Sequence, residues 1–322
     1  MRNGQPKADR DNQGITSSRR HALALMLGAW PLMRRALANP EAPAPVRLAI
    51  SESLVSDVNL NDARAAMLVW IKRMEADLNV QVDINPKVFD TTEEILRLAR
   101  GGQLDSVALN ILEYRQIEDL LDHTQLLAGA GAAGTEQYVL LARRNVEIQQ
   151  LANLRGRRLC ASTNPKMCAA SAWLSSILDD AHLGPTEKFF GSVATDTKVS
   201  RVILPVFFGQ ADACLTSKRS FDTMCELNPQ VAKELTLMAS SVPMVVTFYA
   251  FHRNYTSPNR ERFVKVLAGV RNSPAGRQLA TLFQFDELTV RDASCLAPAL
   301  DVLKKAARGS GGPAPWGRKG QA

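Results

Sequence analysis

Hydrophobic and polar positions alternate along the chain with two different periods. Val46–Ser51 alternates apolar and polar residues, which predicts a strand, and apolar residues at helical spacing over residues 62–78 predict the helix that follows. The same succession continues with a strand at Val80–Ile84, a helix from the capping box Thr91-x-x-Glu94 to Gly101-Gly102, and a strand at Ser106–Asn110. Strand, helix, strand, helix, strand is the βαβ pattern of a parallel sheet.

A second α/β unit begins after the Gly/Ala-rich stretch at residues 128–134. We predict strands at Gln137–Ala142, Arg158–Ala161, Phe189–Ser192, Ala211–Thr216 and Pro243–Phe251. We predict a helical turn at Leu151–Gly156 and helices at Pro165–Asp179, Lys198–Phe208 and Ser220–Leu227, with two more opened by Ser257-Pro258 and Ser273-Pro274.

The pattern predicts an α/β fold of two lobes joined by two strand crossings, near residues 135–140 and 243–250. Each lobe is expected to be a mostly parallel sheet flanked by helices. Lobe I would comprise residues 46–135 plus 245–306 and lobe II residues 136–244. Residues 307–322, which end in a Gly/Pro-rich segment, are expected to form a disordered tail.

Residues 1–38 resemble an export signal. Arg19-Arg20 precedes an apolar run from Ala22 to Met33, and Ala36-x-Ala38 is a small-residue cleavage site. The run is too short to span a bilayer, which takes about 20 apolar residues. The paired arginines favour the twin-arginine route, and the general secretory route stays open. We therefore expect a periplasmic protein, cleaved near Ala38, without a membrane anchor.

Most of the positive charge lies in this leader. The whole chain has 39 Lys and Arg against 32 Asp and Glu, a net charge of +7. Residues 1–38 contain seven basic and two acidic residues, which leaves 32 basic and 30 acidic residues in the remainder, a net charge of +2. Nucleic-acid binding requires a basic surface, so we expect no nucleic-acid partner.

The chemistry-bearing residues do not predict a metal or cofactor site. The five cysteines, Cys160, Cys168, Cys214, Cys225 and Cys295, show no metal-binding spacing. Pairing of Cys214 with Cys225 or of Cys160 with Cys168 is conceivable, but buried free thiols are favoured. We predict neither a cofactor nor a metal.

The order of elements resembles the type 2 periplasmic binding proteins, and within them the solute-binding proteins for phosphate, phosphite and phosphonate import. The matching segments are Gly102–Ala108, Tyr138–Ala142 with Leu154–Arg158, Gly209–Ala213 and Ser273–Gly276. The resemblance implies a small anionic ligand held between two lobes and delivery to an ABC permease.

This chain departs from the family where the ligand would be recognised. The family's Ser/Thr-Ser-Gly turn corresponds to Ser162-Thr163-Asn164-Pro165-Lys166, which keeps the hydroxyls and lacks the glycine. Val199 takes the place of the family's histidine, and Thr216-Ser217-Lys218 falls where the family has an acidic residue. Tyr114 matches a tyrosine of the first-lobe site. The resemblance therefore implies an anion-binding frame without the residues that read a phosphonate.

The candidate ligand contacts lie at the carboxyl ends of predicted strands, where open α/β sheets bind ligands. Hydroxyl and N–H groups at a helix N-terminus suit an oxyanion. The candidates are Ser51, Ser53, Asn110, Tyr114, Ser162, Thr163, Asn164, Lys198, Thr216 and Ser217. Structural roles remain open: Asn164 could cap the helix begun by Pro165, Tyr114 could pack in the lobe, and Lys198 could be a solvated helix residue.

We expect a monomeric solute-binding protein for a phosphate- or phosphonate-like oxyanion, with an ABC permease as its partner. A periplasmic sensor that acts through a membrane receptor remains an alternative. An enzyme on the same fold is a weaker one, since Cys168 near a helix N-terminus has no base placed beside it by sequence. The export signal and the missing helix-turn-helix exclude a DNA-binding regulator.

Overall fold

A computed structural model describes residues 44–78, 81–83, 89–131, 134–144, 147–285 and 287–308. The export signal at residues 1–38 and residues 309–322 of the expected tail lie outside this part of the chain. Ala307 and Arg308, also assigned to the tail, instead complete the last helix. Within the described ranges, no helix has the length and apolar character needed to cross a membrane.

Twelve strands and eleven α-helices make up the described fold. The strands are β1 Val46–Ser51, β2 Val82–Asp83, β3 Phe89–Asp90, β4 Ser106–Asn110, β5 Leu121–Gly129, β6 Tyr138–Arg143, β7 Arg158–Ser162, β8 Ser192–Asp196, β9 Ala213–Ser217, β10 Leu235–Ser240, β11 Thr247–His252 and β12 Leu288–Arg291. The helices are α1 Leu60–Leu78, α2 Thr92–Arg100, α3 Ile111–Ile117, α4 Ala170–Asp180, α5 Thr186–Phe189, α6 Val199–Phe207, α7 Lys218–Leu227, α8 Pro229–Glu234, α9 Asn259–Ala268, α10 Pro274–Leu282 and α11 Ala297–Arg308.

The strands form two sheets. The first has the order β12-β5-β11-β4-β1-β2, with β3 also paired to β1, and the second has the order β10-β6-β9-β7-β8. β1 is parallel to β2, β3 and β4, and β7 is parallel to β8 and β9. These parallel segments, connected through helices, confirm the βαβ pattern of the sequence.

Both sheets are mixed, whereas mostly parallel sheets were expected. β11 is antiparallel to β4 and β5, and β6 is antiparallel to β9 and β10. The register supplies the reason: Thr247 at the start of β11 pairs with Asn110 at the end of β4, and Tyr138 pairs with Ser217. β6 and β11 each cross from the other sheet and enter at the edge where the parallel strands end. Each therefore runs antiparallel to those strands.

Apolar side chains cover both sheets. On one face of the first sheet, Leu48, Leu127 and Tyr249 pack against α1, α9 and α10. The opposite face belongs to a core that continues into the second sheet, where α4 packs against α11. The far face of the second sheet packs against α6 and α8.

Several elements differ from the sequence prediction. The strand predicted at Phe189–Ser192 starts three residues later, because Thr186–Phe189 forms a helical turn. The helix predicted from Pro165 is a 3-10 helix at Pro165–Met167 followed by α4. The pattern also missed β5, β10, β12, α3 and α11.

Candidate functional site

Polar ends of strands from the two sheets converge on one region. The 3-10 helix after β1, Glu52–Val55, contacts the 3-10 helix after β7, Pro165–Met167. The Sγ of Cys168 lies 3.9 Å from the carbonyl oxygen of Val246, which precedes β11. Ser51, Asn110 and Ser162 each stand at the carboxyl end of a strand beside this junction. The structure thus brings together the strand ends expected to form the site.

On the first sheet, three predicted ligand contacts are linked in a chain of hydrogen bonds. The Nδ2 of Asn110 donates to the Oγ of Ser53 at 2.9 Å, and the hydroxyls of Ser53 and Ser51 are 2.9 Å apart. The Ser51 hydroxyl donates to the Oε1 of Glu113 at 2.5 Å. Because Ser51 has one proton and gives it to a carboxylate, the Ser53 hydroxyl must donate to Ser51. Both serine protons therefore lie within the protein's own network.

Glu113 is the acceptor on which this network converges, and sequence reasoning missed it. Its side chain is 5% exposed and accepts hydrogen bonds from the hydroxyls of Ser51 and Thr92 and from the backbone N–H of Asn110. The Asn110 side chain in turn accepts from the N–H groups of Leu112 and Glu113, which completes a capping box. The spacing Asn110-x-x-Glu113 was the signal that could have revealed it.

Tyr114 belongs to the core. It is 2% exposed, and its ring packs edge-on against Phe248 with centroids 5.3 Å apart. Burial raises the pKa of its phenol. Tyr114 therefore has the packing role that the sequence left open.

On the second sheet, the turn after β7 holds the candidate hydroxyls in place. The Nδ2 of Asn164 donates to the Oγ of Ser162 at 3.1 Å, and its Oδ1 accepts from the N–H of Lys166. The backbone N–H of Thr163 donates to the carbonyl of Asp196. Asn164 is thus the N-cap that the following proline predicted, and it also positions the buried Ser162.

The end of β9 provides two more buried hydroxyls. Thr216 is fully buried, and its Oγ1 has no hydrogen-bond partner among the described residues. Ser217 caps α7 by accepting from the N–H of Ser220. Since β7 and β9 are neighbours with Ala161 opposite Leu215, Ser162 and Thr216 stand next to each other in the sheet.

Lys198 lies at the rim. It is exposed and precedes α6, and its backbone N–H donates to the carboxylate of Asp196 at 2.8 Å. β8 is the outer strand of the second sheet, two strands away from β9. Lys198 therefore lies where the strands end, as predicted, but it follows the outer strand β8 and not a central strand of the sheet.

Lys166 is a cationic residue at the junction of the two sheets that the candidate set omitted. Its Nζ lies 3.4 Å from the Oε1 of Glu136 and donates to the carbonyl oxygen of Gln284 at 2.5 Å. Burial raises the pKa of Glu136, and the ammonium of Lys166 opposes part of that rise. The position of Lys166 directly after Asn164-Pro165 was the available signal.

The five cysteines form no disulfide, and the part of the chain that the structure describes contains no metal-binding cluster. All five thiols are free, so neither conceivable pairing is formed. Cys160 and Cys214 face each other as register partners on β7 and β9. Burial and the neighbouring carboxylate of Glu113 raise the pKa of Cys168 to about 12. Within the described ranges, no group of three His, Cys, Asp or Glu side chains could hold a metal ion.

Solved structures with the same fold include several solute-binding proteins. A binding protein component of an ABC phosphonate transporter from Pseudomonas aeruginosa is 14% identical, with a TM-score of 0.53 over 82% of this chain and 87% of that chain. PhnD1 from Prochlorococcus marinus, solved with methylphosphonate, is 15% identical, with a TM-score of 0.55 over 83% and 99%. A Xanthomonas citri protein solved with ATP is 12% identical, with a TM-score of 0.57 over 82% and 97%. At these identities the likeness establishes the two-lobe fold.

The family itself is identified by sequence. No curated protein matches the chain significantly. However, the profile of the family described as "ABC transporter, phosphonate, periplasmic substrate-binding protein" matches residues 53–294, about three quarters of the chain. Apart from Ser51 at the end of β1, the strand ends, the turns between them and α10 lie within this range. The chain therefore belongs to the family of periplasmic substrate-binding proteins of phosphonate ABC transporters.

Proposed function

We propose that this protein binds a small phosphonate-class oxyanion between its two sheets and delivers it to an ABC permease. The observation that carries the proposal is the convergence of polar strand ends from both sheets, at the contact between the 3-10 helices Glu52–Val55 and Pro165–Met167. Family membership supports the transport role. The methylphosphonate bound to the Prochlorococcus protein supports the ligand class.

We propose that the two sheets correspond to two lobes with the boundaries expected from sequence. Residues 46–135 and 245–306 contain every strand of the first sheet, and residues 136–244 every strand of the second. Ligand binding would shift the population from an open to a closed arrangement of these lobes. The contact between the two 3-10 helices would belong to the closed arrangement.

The second sheet offers the better seat for an anion. The hydroxyl protons of Ser51 and Ser53 are used within the chain that ends at Glu113, whose buried carboxylate would repel a second anion nearby. By contrast, the Oγ1 of Thr216 is buried without a protein partner, next to Ser162. Buried hydroxyls that lack partners cost free energy, and an oxyanion would satisfy them.

We also propose that the protein carries out no covalent chemistry. The enzyme alternative needed an ionised thiol at Cys168. Burial and the carboxylate of Glu113 raise its pKa to about 12, which leaves that thiol protonated at neutral pH. No catalytic residue is therefore assigned.

Titration calorimetry with methylphosphonate, phosphite and phosphate tests the proposal on the purified protein, with methanesulfonate as a singly charged comparison. We expect Ser162→Ala and Thr216→Val each to weaken binding of the tightest anion by roughly 10- to 100-fold, because each removes one hydrogen bond to a charged ligand, worth about 1.5–3 kcal/mol.

Ser192→Ala is the matched control. Ser192 is exposed and pairs with Arg158 at the opposite end of the second sheet, so its loss should leave the Kd unchanged. If none of the anions binds, the proposed function is wrong. If they bind but neither Ser162→Ala nor Thr216→Val weakens binding, the seat has been placed on the wrong side of the cleft.

A further inference from the structure

An apolar cavity of about 140 Å³ lies beside the first sheet. It lies between the sheet face that carries Leu48, Ile50 and Leu127 and the helices α1, α9 and α10. Side chains such as Trp70, Phe263 and Leu279 line it. An engineered cavity of roughly 150 Å³ with a similar aliphatic and aromatic lining stays dry and binds benzene. The cavity therefore suits a hydrocarbon group better than water.

The lining of the cavity reaches the candidate ligand site. Thr247 and Asn164 both line the cavity, and Asn164 holds the hydroxyl of Ser162 through the hydrogen bond described above. Thr247 pairs with Asn110 at the end of β4. A ligand whose charged end lies at Ser162 is thus next to Asn164, which lines the apolar space against the other sheet.

The charged residues of the cavity lining favour a head group held outside the cavity. They are Asp57, Glu136 and Lys166. Lys166 bonds to Glu136 and to the carbonyl of Gln284, and its charge also acts on Asp57, so two carboxylates share one ammonium and a phosphonate would avoid them. The head group therefore stays at the strand ends, and what enters between these residues must be uncharged.

We propose that the ligand is an amphiphilic oxyanion, with an aliphatic chain of about four to six carbons or a single aromatic ring that occupies this cavity. The inference rests on the proposed function and specifies the substrate class for that site. Thr216 and Ser162 bind the head, and the α1–α9–α10 side of the first sheet binds the tail. One ligand then contacts both sheets, so the tail as well as the head contributes to closure.

A series of n-alkylphosphonates from methyl to octyl, titrated into the purified protein, tests this assignment. Burial of a methylene contributes about 0.8 kcal/mol, part of which is lost in ordering the chain. We expect the Kd to fall two- to threefold for each added methylene up to about six carbons, on the order of 100-fold in total, and then to level off.

A cavity-filling variant separates the cavity from general hydrophobic adhesion. Ala108 lines the cavity from β4, so Ala108→Leu should remove most of the difference in Kd between methyl- and hexylphosphonate. Ala239→Leu on β10 makes the same change in the second sheet, away from the cavity lining, and should preserve that difference. If Ala108→Leu does not fold, Leu54→Phe narrows the same cavity from another lining position.

The outcomes distinguish the two proposals. Binding of methylphosphonate with a Kd that changes less than threefold up to hexylphosphonate overturns the cavity assignment and leaves the proposed function standing. Equal chain-length dependence in the wild type and in Ala108→Leu also overturns it. If no member of the series binds, the proposed function fails, and the tail assignment fails with it.

Discussion

At the scale of single residues, the buried carboxylate of Glu113 connects several segments of the first sheet. Glu113 accepts three hydrogen bonds from groups on three different segments: Ser51 after β1, Thr92 at the start of α2 and Asn110 before α3. A buried carboxylate is tolerated only when its oxygens are satisfied. Glu113 therefore ties the carboxyl ends of β1 and β4 to each other.

Glu113→Ala should destabilise the protein strongly. The change leaves three donors without their acceptor, and each buried unsatisfied group costs about 1–3 kcal/mol. Because hydroxyls can turn toward other acceptors, we expect a total of about 3 kcal/mol in the free energy of unfolding measured by urea denaturation. Glu118→Ala is the control, since Glu118 is exposed at the end of the same helix. A loss below 0.5 kcal/mol, within the usual range for surface substitutions, would contradict the account.

The positions of the candidate residues could be predicted from the sequence, but their hydrogen-bond partners could not. Strand ends could be located because polar residues follow apolar runs, so Ser51, Asn110 and Ser162 were found at the junction. What each hydroxyl bonds to depends on residues distant in sequence, such as Glu113 for Ser51, and no local pattern contains that information. For Tyr114 the sequence leaves both a ligand contact and a packing role open, since a tyrosine at a helix start does not reveal whether its ring faces a cleft or a core; the ring packs against Phe248.

At the scale of elements, the junction between α9 and α10 depends on close backbone contact. Ser273 caps α10 by accepting from the N–H of Gly276. A Cβ on Gly276 would overlap the carbonyl oxygen of Val270, which is backbone and cannot move aside alone. The Ser273-Pro274-Ala275-Gly276 segment that resembled the family is therefore a packing requirement.

Gly276→Ala should cost considerably more than loss of the cap. We expect Ser273→Ala to lower the free energy of unfolding by about 1 kcal/mol, the usual cost of a lost N-cap. Gly276→Ala should lower it by about 3 kcal/mol or more, because α10 must move away from Val270. Urea denaturation of both variants measures the two losses in the free energy of unfolding. Equal losses would contradict the argument that the close contact between Gly276 and Val270 is the larger contribution.

Elements with a clear period were predicted well, and those without one were missed. β1 and β4 match their predicted bounds, since β1 alternates and β4 has an apolar centre, Val107–Leu109, between the polar residues Ser106 and Asn110. β5 was missed because its first half is polar and exposed, as in His123 and Thr124. Its strand conformation comes from pairing with β11, which follows it by more than 100 residues.

At the scale of the whole molecule, residues 1–38 determine the export route. We propose that they direct the protein to the periplasm by the twin-arginine pathway. Arg19 and Arg20 precede the apolar run, whereas Arg34 and Arg35 follow it. Only the first pair has the position that this pathway recognises.

Replacement of Arg19 and Arg20 by lysine keeps the charge and should block export. We expect uncleaved precursor to accumulate in the cytoplasm, measured by cell fractionation and intact-mass analysis. The same replacement at Arg34 and Arg35 should leave export intact. Normal export of the Arg19/Arg20 variant would assign the leader to the general secretory route.

The strand order determines when the first sheet can be completed during synthesis. β11 lies between β4 and β5 in the first sheet, so neither has its central neighbour until residue 252 has left the ribosome. At about 5–20 residues per second, bacterial translation leaves the edges of β4 and β5 open for roughly 6–25 s after Gly129 is made. During that interval the nascent chain presents unpaired strand edges, which invite intermolecular pairing. Chaperone occupancy on the ribosome should therefore peak between residues 129 and 252.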